Sequence, residues 1–377
     1  MILNAKDYEN TYLALHACIM ARVPVILWGP PGQGKTSVIK AMAEHDQRMI
    51  RVLLASIREP QDFGGLPSIQ DGRATLIAPD WAQDLAADTN GILFMDEVNT
   101  APPAVQAALL RVSLDKVAGD CYLGDGTSVV AAANPPEIAA DGWDLAPPLA
   151  NRFCHLEWSL PADVVRNGIA GSWPKYTVRE VPDHELKIAL ANERVILGGF
   201  LTVRPDLTTV MPSSTKEQGR AFPTPRSWET VAILCAWATA AGLNESVRRL
   251  LVQGTVGPGA SAEYLTYRDN SDLPNPEDLL ADPGSFDMPR RADQVFVVGA
   301  AVMNALRSDN SASRWIAGGE ILEAMCERFP DIAVSLARDW MNIRPMSRSK
   351  KDGIGPTDGL IHALIPLMAE AGLLGES

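Results

Sequence analysis

Residues 29 to 36 read GPPGQGKT, which matches the pattern Gly-x-x-x-x-Gly-Lys-Ser/Thr. The loop follows the apolar run 25 to 28 and opens a segment of helical periodicity, which is the strand, loop and helix context that this pattern requires. Glycines let such a backbone curl so that its amide N–H groups point at phosphate oxygens. In this pattern the lysine bridges the β- and γ-phosphates and the hydroxyl holds Mg²⁺. The spacing therefore predicts a phosphate-binding loop made of Gly29, Pro30, Pro31, Gly32, Gln33, Gly34, Lys35, Thr36 and Ser37.

A second apolar run ends in two adjacent carboxylates. Residues 91 to 99 read GILFMDEVN, as expected for a buried strand whose carboxyl end opens onto a ligand. Asp96 would orient Mg²⁺ or its waters, and Glu97 would polarise the attacking water. Taken alone, the pair could instead cap the helix that follows.

A third apolar run, from Ser128 to Ala133, ends in Asn134. A polar side chain there would sit beside the carboxyl ends of the other two strands, within reach of the hydrolytic water or the γ-phosphate. Asn-Pro is also a common way to start a turn, so this residue alone decides nothing.

The composition is that of a globular protein and weighs against nucleic-acid binding. The chain has 377 residues, 46% of them hydrophobic, and a formal net charge of -13. Phosphate backbones are bound by clustered Lys and Arg, which this balance disfavours.

The start of the chain lacks the features of a signal peptide, and no apolar run reaches the roughly 18 to 20 residues that span a bilayer. Five scattered cysteines read as reduced thiols, so we expect a cytoplasmic location with no membrane contact.

The order of the periodic segments predicts the fold class. From residue 20 to about 160, short β-branched runs alternate with helical segments, which predicts an α/β core with a parallel sheet between helices. Residues 161 to 225 look irregular, the pattern beyond them is helical, and 255 to 291 read as a long loop or linker. We expect a nucleotide-binding core at 1–160, a linker and helical lid at 161–310, and a helical extension at 311–377.

GPPGQGKT, FMDEVN, AAANP and LANRF, in this order, resemble the AAA+ ATPases of the MoxR group, relatives of the dynein-type and magnesium-chelatase modules. The resemblance is close over residues 15 to 160. It implies a P-loop NTPase core that uses ATP, releases ADP and needs Mg²⁺. It also implies that Asn134 is sensor 1, that Arg152 is an arginine finger reaching a neighbouring subunit's nucleotide, and that Arg226 is sensor 2 at the start of a lid helix. Arg111 is a second candidate for the trans-acting arginine.

The same resemblance implies two inserted hairpins. Residues 58 to 81 fill the position of a hairpin within the second helix, and a second hairpin is expected around Gly119 to Gly126. In the family both face the central pore or a partner, although a pair of solvated hairpins fits the sequence equally well. The chain also departs from the family, with Ala150 where an acidic residue is common and Thr100 where an arginine is common.

Three functions fit these observations. The first is a hydrolysing AAA+ ATPase that forms a homo-oligomeric ring, a hexamer by expectation, and remodels a protein client as a chaperone does. The resemblance implies a client with a von Willebrand factor A-like domain. The second is a nucleic-acid-associated module, and the third is an ATP-dependent binding switch with little turnover.

Overall fold

The computed structural model describes residues 4–70, 72–135, 142–269, 274 and 276–343. Its centre is a five-stranded parallel sheet of order β2-β5-β8-β1-β9. Two antiparallel hairpins, β3–β4 and β6–β7, stand apart from it. The strands are β1 Val25–Trp28, β2 Ile50–Leu54, β3 Leu66–Gln70, β4 Arg73–Ile77, β5 Ile92–Asp96, β6 Val117–Ala118, β7 Cys121–Tyr122, β8 Ser128–Ala133 and β9 Cys154–Glu157.

The three central strands are buried on both faces. Every residue of β1 and β8 and the first four of β5 are buried. Continuous apolar runs are what a parallel sheet covered by helices on both faces requires. Two apolar clusters, each containing alternate residues of these strands, form the core. The strands β1, β5 and β8 therefore bring the three motifs of the sequence to one edge of the sheet.

The described chain divides into two compact units. The first comprises residues 1–182 and 206–263, and the second comprises 183–205 and 264–377. This division does not test the domain boundaries that we expected at residues 160 and 310, which stay predictions. The helices of the first unit are α1 Ala5–Met20, α2 Lys35–His45, α3 Gln61–Gly64, α4 Asp80–Ala87, α5 Pro103–Asp115, α6 Pro147–Ala150, α7 Ala162–Ile169, α9 Thr215–Gln218, α10 Pro225–Ala240 and α11 Glu245–Val256.

The second unit is helical and has its own apolar cluster. It contains α8 Asp183–Val203, the second half of α12 Pro258–Asp269, α13 Pro276–Ala281, α14 Ala292–Ser308, α15 Ala312–Cys326 and α16 Pro330–Asn342. Trp315 and Trp340 stack with ring centroids 3.9 Å apart, and each indole N–H donates to the other residue's carbonyl oxygen. The buried Glu193 pairs with Arg268 at 2.8 Å.

Two expectations from the sequence were wrong. The stretch 161 to 225 contains α7 and the 21-residue α8, and the stretch 255 to 291 contains α12 and α13. In the latter region prolines and glycines mark the ends of helices: Gly257 has a φ of 81° and ends α11, and Pro258 is the first residue of α12. Proline is well tolerated at a first helical position, so these residues separate helices without excluding them.

The first hairpin, at 66–77, lies within the predicted region, and the second lies slightly earlier than expected, at 117–122. The residues Gln70, Asp71 and Gly72 are of the type that forms a hairpin turn, but Asp71 lies outside the described residues. None of the helices in the described segments is long and apolar enough to cross a membrane.

Candidate functional site

The phosphate-binding loop connects β1 to α2 in a conformation that depends on its glycines. Gly32 and Gly34 have φ angles of 75° and 68°, a region that residues with a Cβ rarely adopt. A Cβ on Gly29 would overlap the carbonyl oxygen of Trp158. The three glycines are therefore required by geometry, as the sequence pattern predicted.

Contacts from the segment after β9 hold this loop in place. The indole N–H of Trp158 donates to the carbonyl oxygen of Gln33 at 2.9 Å. The side-chain oxygen of Gln33 accepts the backbone N–H of Leu160 at 3.0 Å. Gln33 is therefore anchored through both its backbone carbonyl and its side chain, which holds the loop in its curled shape.

Lys35 points back into the loop. Its Nζ donates to the carbonyl oxygens of Gly29 at 2.5 Å and Pro30 at 3.0 Å, and to Oδ1 of Asn134 at 3.3 Å. Burial lowers the pKa of the Lys35 ammonium, and the nearby carboxylates of Asp96 and Glu97 oppose that shift. The ammonium thus lies among the loop, the acidic strand and Asn134, where a phosphate would meet it.

Thr36 and Asp96 are in direct contact. The Thr36 hydroxyl donates to Oδ2 of Asp96 at 2.8 Å, and Oδ1 of Asp96 accepts the backbone N–H of Glu97 at 3.0 Å. A hydroxyl and a carboxylate side by side are the oxygen donors that Mg²⁺ takes in proteins, usually together with substrate phosphates. The donor set therefore fits a magnesium–nucleotide complex.

Glu97 adopts a left-handed conformation, with a φ of 55°, directly after β5. A residue with a side chain occupies that region at a cost, and such positions concentrate at functional sites. Its Oε2 accepts the hydroxyl of Ser56 at 2.8 Å. Ser56 was missed by the sequence analysis, although it follows β2, which is the neighbour of β5 in the sheet.

Asn134 is positioned through its backbone by Asn99, the last residue of the run GILFMDEVN, to which the sequence analysis gave no role. Asn99 donates from Nδ2 to the Asn134 carbonyl oxygen at 2.8 Å and accepts the Asn134 N–H at 3.1 Å. Asn99 is 1% exposed, so this reciprocal pair is a fixed part of the core. The side chain of Asn134 is then free to reach Lys35, as a phosphate-sensing residue would.

A cavity of about 770 Å³ adjoins the phosphate-binding loop at Gly32, Gln33, Gly34 and Ser37. Tyr8 meets Trp158 edge to face at a centroid distance of 5.3 Å, and Tyr12 lies 5.0 Å from Tyr176. An apolar cavity of this size with few polar groups is typical of a small-molecule site. Its aromatic lining is Tyr8, Tyr12, Trp158, Trp173 and Tyr176, none of which the sequence pattern indicated.

Residues 24–153 match the family model of the AAA domain, dynein-related subfamily. This segment is an AAA domain. The match agrees with the resemblance to the MoxR group that the motifs showed. It covers the loop, the acidic strand, Asn134 and Arg152, whereas Arg226 lies beyond it.

The known proteins to which this chain is similar share little of its sequence. WtsA of Pantoea stewartii subsp. stewartii, described as a probable regulatory protein of a pathogenicity locus, is 28% identical over 121 residues, which are 30% of this chain and 38% of WtsA. A candidate ATPase from Cytophaga hutchinsonii has a TM-score of 0.42 and 15% identity over 71% of this chain and 90% of its own. A full-length MCM homolog from Methanopyrus kandleri has a TM-score of 0.40 and 16% identity, covering 70% of this chain and 56% of its own.

Arg152 and Arg226 lie close enough for their charges to interact, and among the described residues neither donates a hydrogen bond to the phosphate-binding loop; Nη1 of Arg152 donates to the Pro148 carbonyl oxygen. Arg152 follows α6, and Arg226 is the second residue of α10. Burial and then the charge of Arg226 lower the pKa of the Arg152 guanidinium, which Asp115 partly opposes. In the part of the chain that the structure describes, neither arginine forms an ion pair. Arg111 is exposed on α5.

The two hairpins of the AAA domain are joined by a reciprocal contact. The backbone N–H of Leu76 donates to Oδ2 of Asp120 at 2.8 Å, and the N–H of Asp120 donates to the Leu76 carbonyl oxygen at 3.1 Å. Each hairpin exposes a large apolar side chain, Ile69 at 81% and Tyr122 at 75%. The hairpins thus form one hydrogen-bonded surface with apolar groups in solvent.

Proposed function

We propose that this chain hydrolyses ATP to ADP and phosphate. The observation that supports this best is the convergence of the three motifs: Lys35 contacts Asn134, and Thr36 contacts Asp96, at the carboxyl edge of one sheet. Phosphoryl transfer is catalysed mainly by positioning and by stabilising charge, and these residues offer a cation, magnesium ligands and a water-orienting group. The aromatic cavity beside Ser37 would hold the nucleoside.

Each residue has a defined task in this scheme. Lys35 neutralises the phosphates that the loop amides bind, and Thr36 with Asp96 would hold Mg²⁺, which neutralises the developing charge when bound. Glu97 orients the attacking water and accepts its proton. Asn134 hydrogen-bonds the γ-phosphate or that water.

Two variants test the assignment of the site. We expect Lys35→Ala to abolish ATP binding, because the phosphate cation is lost, and Glu97→Gln to bind ATP but stop turnover, because only the water-activating carboxylate is lost. Equilibrium binding of ATP and release of phosphate measure the two effects separately. Tight ATP binding by the Lys35 variant would overturn the assignment.

The arrangement of the arginines supports assembly into a ring, a hexamer by family resemblance. Arg152 and Arg226 form no ion pair among the described residues, and the charge of Arg226 lowers the pKa of the Arg152 guanidinium, which Asp115 opposes only in part. A neighbouring copy's nucleotide would supply an anion for both guanidinium groups. An arginine delivered in trans contributes about 10³ to 10⁵ in rate, and a repeated head-to-tail contact closes into a ring when the rotation allows.

Mixing two inactive variants tests this assembly. Lys35→Ala keeps its arginines but has a dead cleft, and Arg152→Ala keeps its cleft but lacks one arginine. At a mixed interface an intact cleft meets an intact arginine pair, so we expect the mixture to recover turnover that neither variant has alone. No recovery, in a range where the wild type hydrolyses ATP, would refute sharing of the site between copies.

We propose that a protein client binds the surface formed by the joined hairpins. Family resemblance suggests that this client has a von Willebrand factor A-like domain. Ile69 and Tyr122 are exposed apolar groups that a polypeptide could cover. ATP turnover measured with unfolded casein and with single-stranded DNA separates a protein client from the nucleic-acid alternative. We expect stimulation by protein only; stimulation by DNA alone would favour the alternative.

A further inference from the structure

We propose that Asn151 is a positioning residue. Its hydrogen bonds hold the backbone at Arg152 to the helix start that carries Arg226, so that both arginines can contact the neighbouring subunit's nucleotide. This inference rests on the proposed sharing of the site between copies. Both polar atoms of the Asn151 side chain are hydrogen-bonded within the subunit, so the role that we assign to it acts through Arg152 and Arg226.

Both polar atoms of the Asn151 side chain bind the segment that starts α10. Its Nδ2 donates to the carbonyl oxygen of Phe222 at 2.9 Å, and its Oδ1 accepts the hydroxyl of Thr224 at 2.8 Å. Thr224 is the N-cap of α10, and its Oγ1 accepts the backbone N–H of Ser227 at 3.1 Å. Asn151 therefore holds the helix start through its capping residue, two positions before Arg226.

The backbone around Arg152 is also held by hydrogen bonds. Asn151 ends α6, where its N–H donates to the Pro147 carbonyl oxygen at 3.0 Å, and Arg152 is the next residue. The preceding carbonyl, that of Ala150, pairs with Nε2 of His155 at 2.9 Å. The backbone at Arg152 is thus held to β9, and the Asn151 side chain connects this backbone to the start of α10.

The hydrogen bonds of Asn151 oppose a movement of Arg226 away from Arg152. Such a movement is favoured because the two guanidinium groups repel each other and Arg226 is exposed. Without Asn151, the start of α10 could move away from Arg152 while the rest of the unit stays folded. Misplacing a group by about 1 Å can reduce a rate by about 100-fold. The loss would appear in the neighbour's active site and not in the subunit's own.

The mixing experiment separates this role from a general loss of structure. Asn151→Ala is added either to the Lys35→Ala subunit, which donates arginines, or to the Arg152→Ala subunit, which supplies the cleft. We expect at least a tenfold loss of recovered turnover in the first mixture and less than a twofold change in the second. Thr224→Ser in the donor keeps the hydroxyl and should retain the recovered turnover.

Asn10→Ala provides the matched control. Asn10, on α1, accepts a hydrogen bond from Asn244, the N-cap of α11, at 3.0 Å, so it also joins two helices of the same unit through one side chain. It is not bonded to the arginine segment. We expect its substitution in the donor to leave the recovered turnover within twofold.

Equal losses with Asn151→Ala in donor and in cleft subunits would show a general structural role and overturn the inference, as would no loss in either. In both cases the recovery by the parent mixture would still support the proposed function. If the parent mixture recovers nothing, the shared site is refuted and the role of Asn151 with it.

Discussion

The Glu97 carboxylate is engaged with Ser56 in the structure, and this contact should restrain catalysis. The hydroxyl donates to Oε2 at 2.8 Å, which occupies one carboxylate oxygen that could otherwise accept a hydrogen bond from the attacking water. We expect Ser56→Ala to raise basal ATP turnover by up to about fivefold, which corresponds to one hydrogen bond of about 1 kcal/mol. ATP affinity should not change. A fall in turnover at unchanged affinity would mean that Ser56 aligns Glu97 productively.

The Asn134 side chain can be removed without disturbing the fold around it, so its role in hydrolysis can be tested separately. Its backbone is held by Asn99, so removing the side chain leaves the loop in place. We expect Asn134→Ala to slow hydrolysis about 100-fold, the usual cost of losing one charge-stabilising donor, while the ATP dissociation constant changes little. Phosphate release and equilibrium binding check this. A collapse of affinity instead would make Asn134 a structural residue.

At the scale of elements, the three central strands were predictable because each is an apolar run that the sheet buries on both faces. The P-loop and the acidic strand carry chemistry in consecutive residues, so the sequence indicated Lys35, Thr36, Asp96 and Glu97 directly. Ser56 lies outside the motifs and Asn99 lies within GILFMDEVN, but no local pattern shows which motif residue either of them contacts through a hydrogen bond. The helix α12 was missed because proline and glycine were taken to exclude a helix, although they separate consecutive helices there.

His155 on β9 links two parts of the site and should make stability depend on pH. Its Nδ1 accepts the Trp28 indole N–H at 2.9 Å, and its Nε2 donates to the Ala150 carbonyl oxygen. Burial lowers the His155 pKa from 6.5 to about 4; the charge of Arg220 adds to this, and the Ala150 hydrogen bond opposes it. Because the unfolded chain binds this proton more readily, the stabilisation is complete above pH 6.5 and is lost as pH falls toward 4.

We therefore expect the free energy of unfolding to fall by about 2 kcal/mol between pH 7 and pH 5 on account of His155. Urea denaturation at the two pH values measures this. His155→Gln should remove that part of the pH dependence, and His184→Gln, at an exposed position on α8, should leave it intact. Identical pH dependence in the wild type and the His155 variant would contradict the assignment.

At the scale of the whole molecule, the sequence could not show that Arg152 and Arg226 are neighbours. Seventy-odd residues separate them in the chain, and the junction depends on Asn151 contacting Phe222 and Thr224. Because the charges of Arg226 and Arg152 interact, we propose that Arg226 acts with Arg152 on another copy's nucleotide, whereas the motif alone suggested a sensor at the start of a lid helix. We therefore expect a single copy to hold an incomplete site.

The most direct test of this incompleteness is ATP turnover per subunit as a function of protein concentration, with the mass of the protein measured by light scattering in the same samples with ATP and Mg²⁺. If each cleft needs a neighbour's arginines, turnover per subunit rises with the assembled fraction and is negligible where the protein is monomeric. Turnover per subunit that stays constant down to concentrations at which only monomers are present would contradict the central claim.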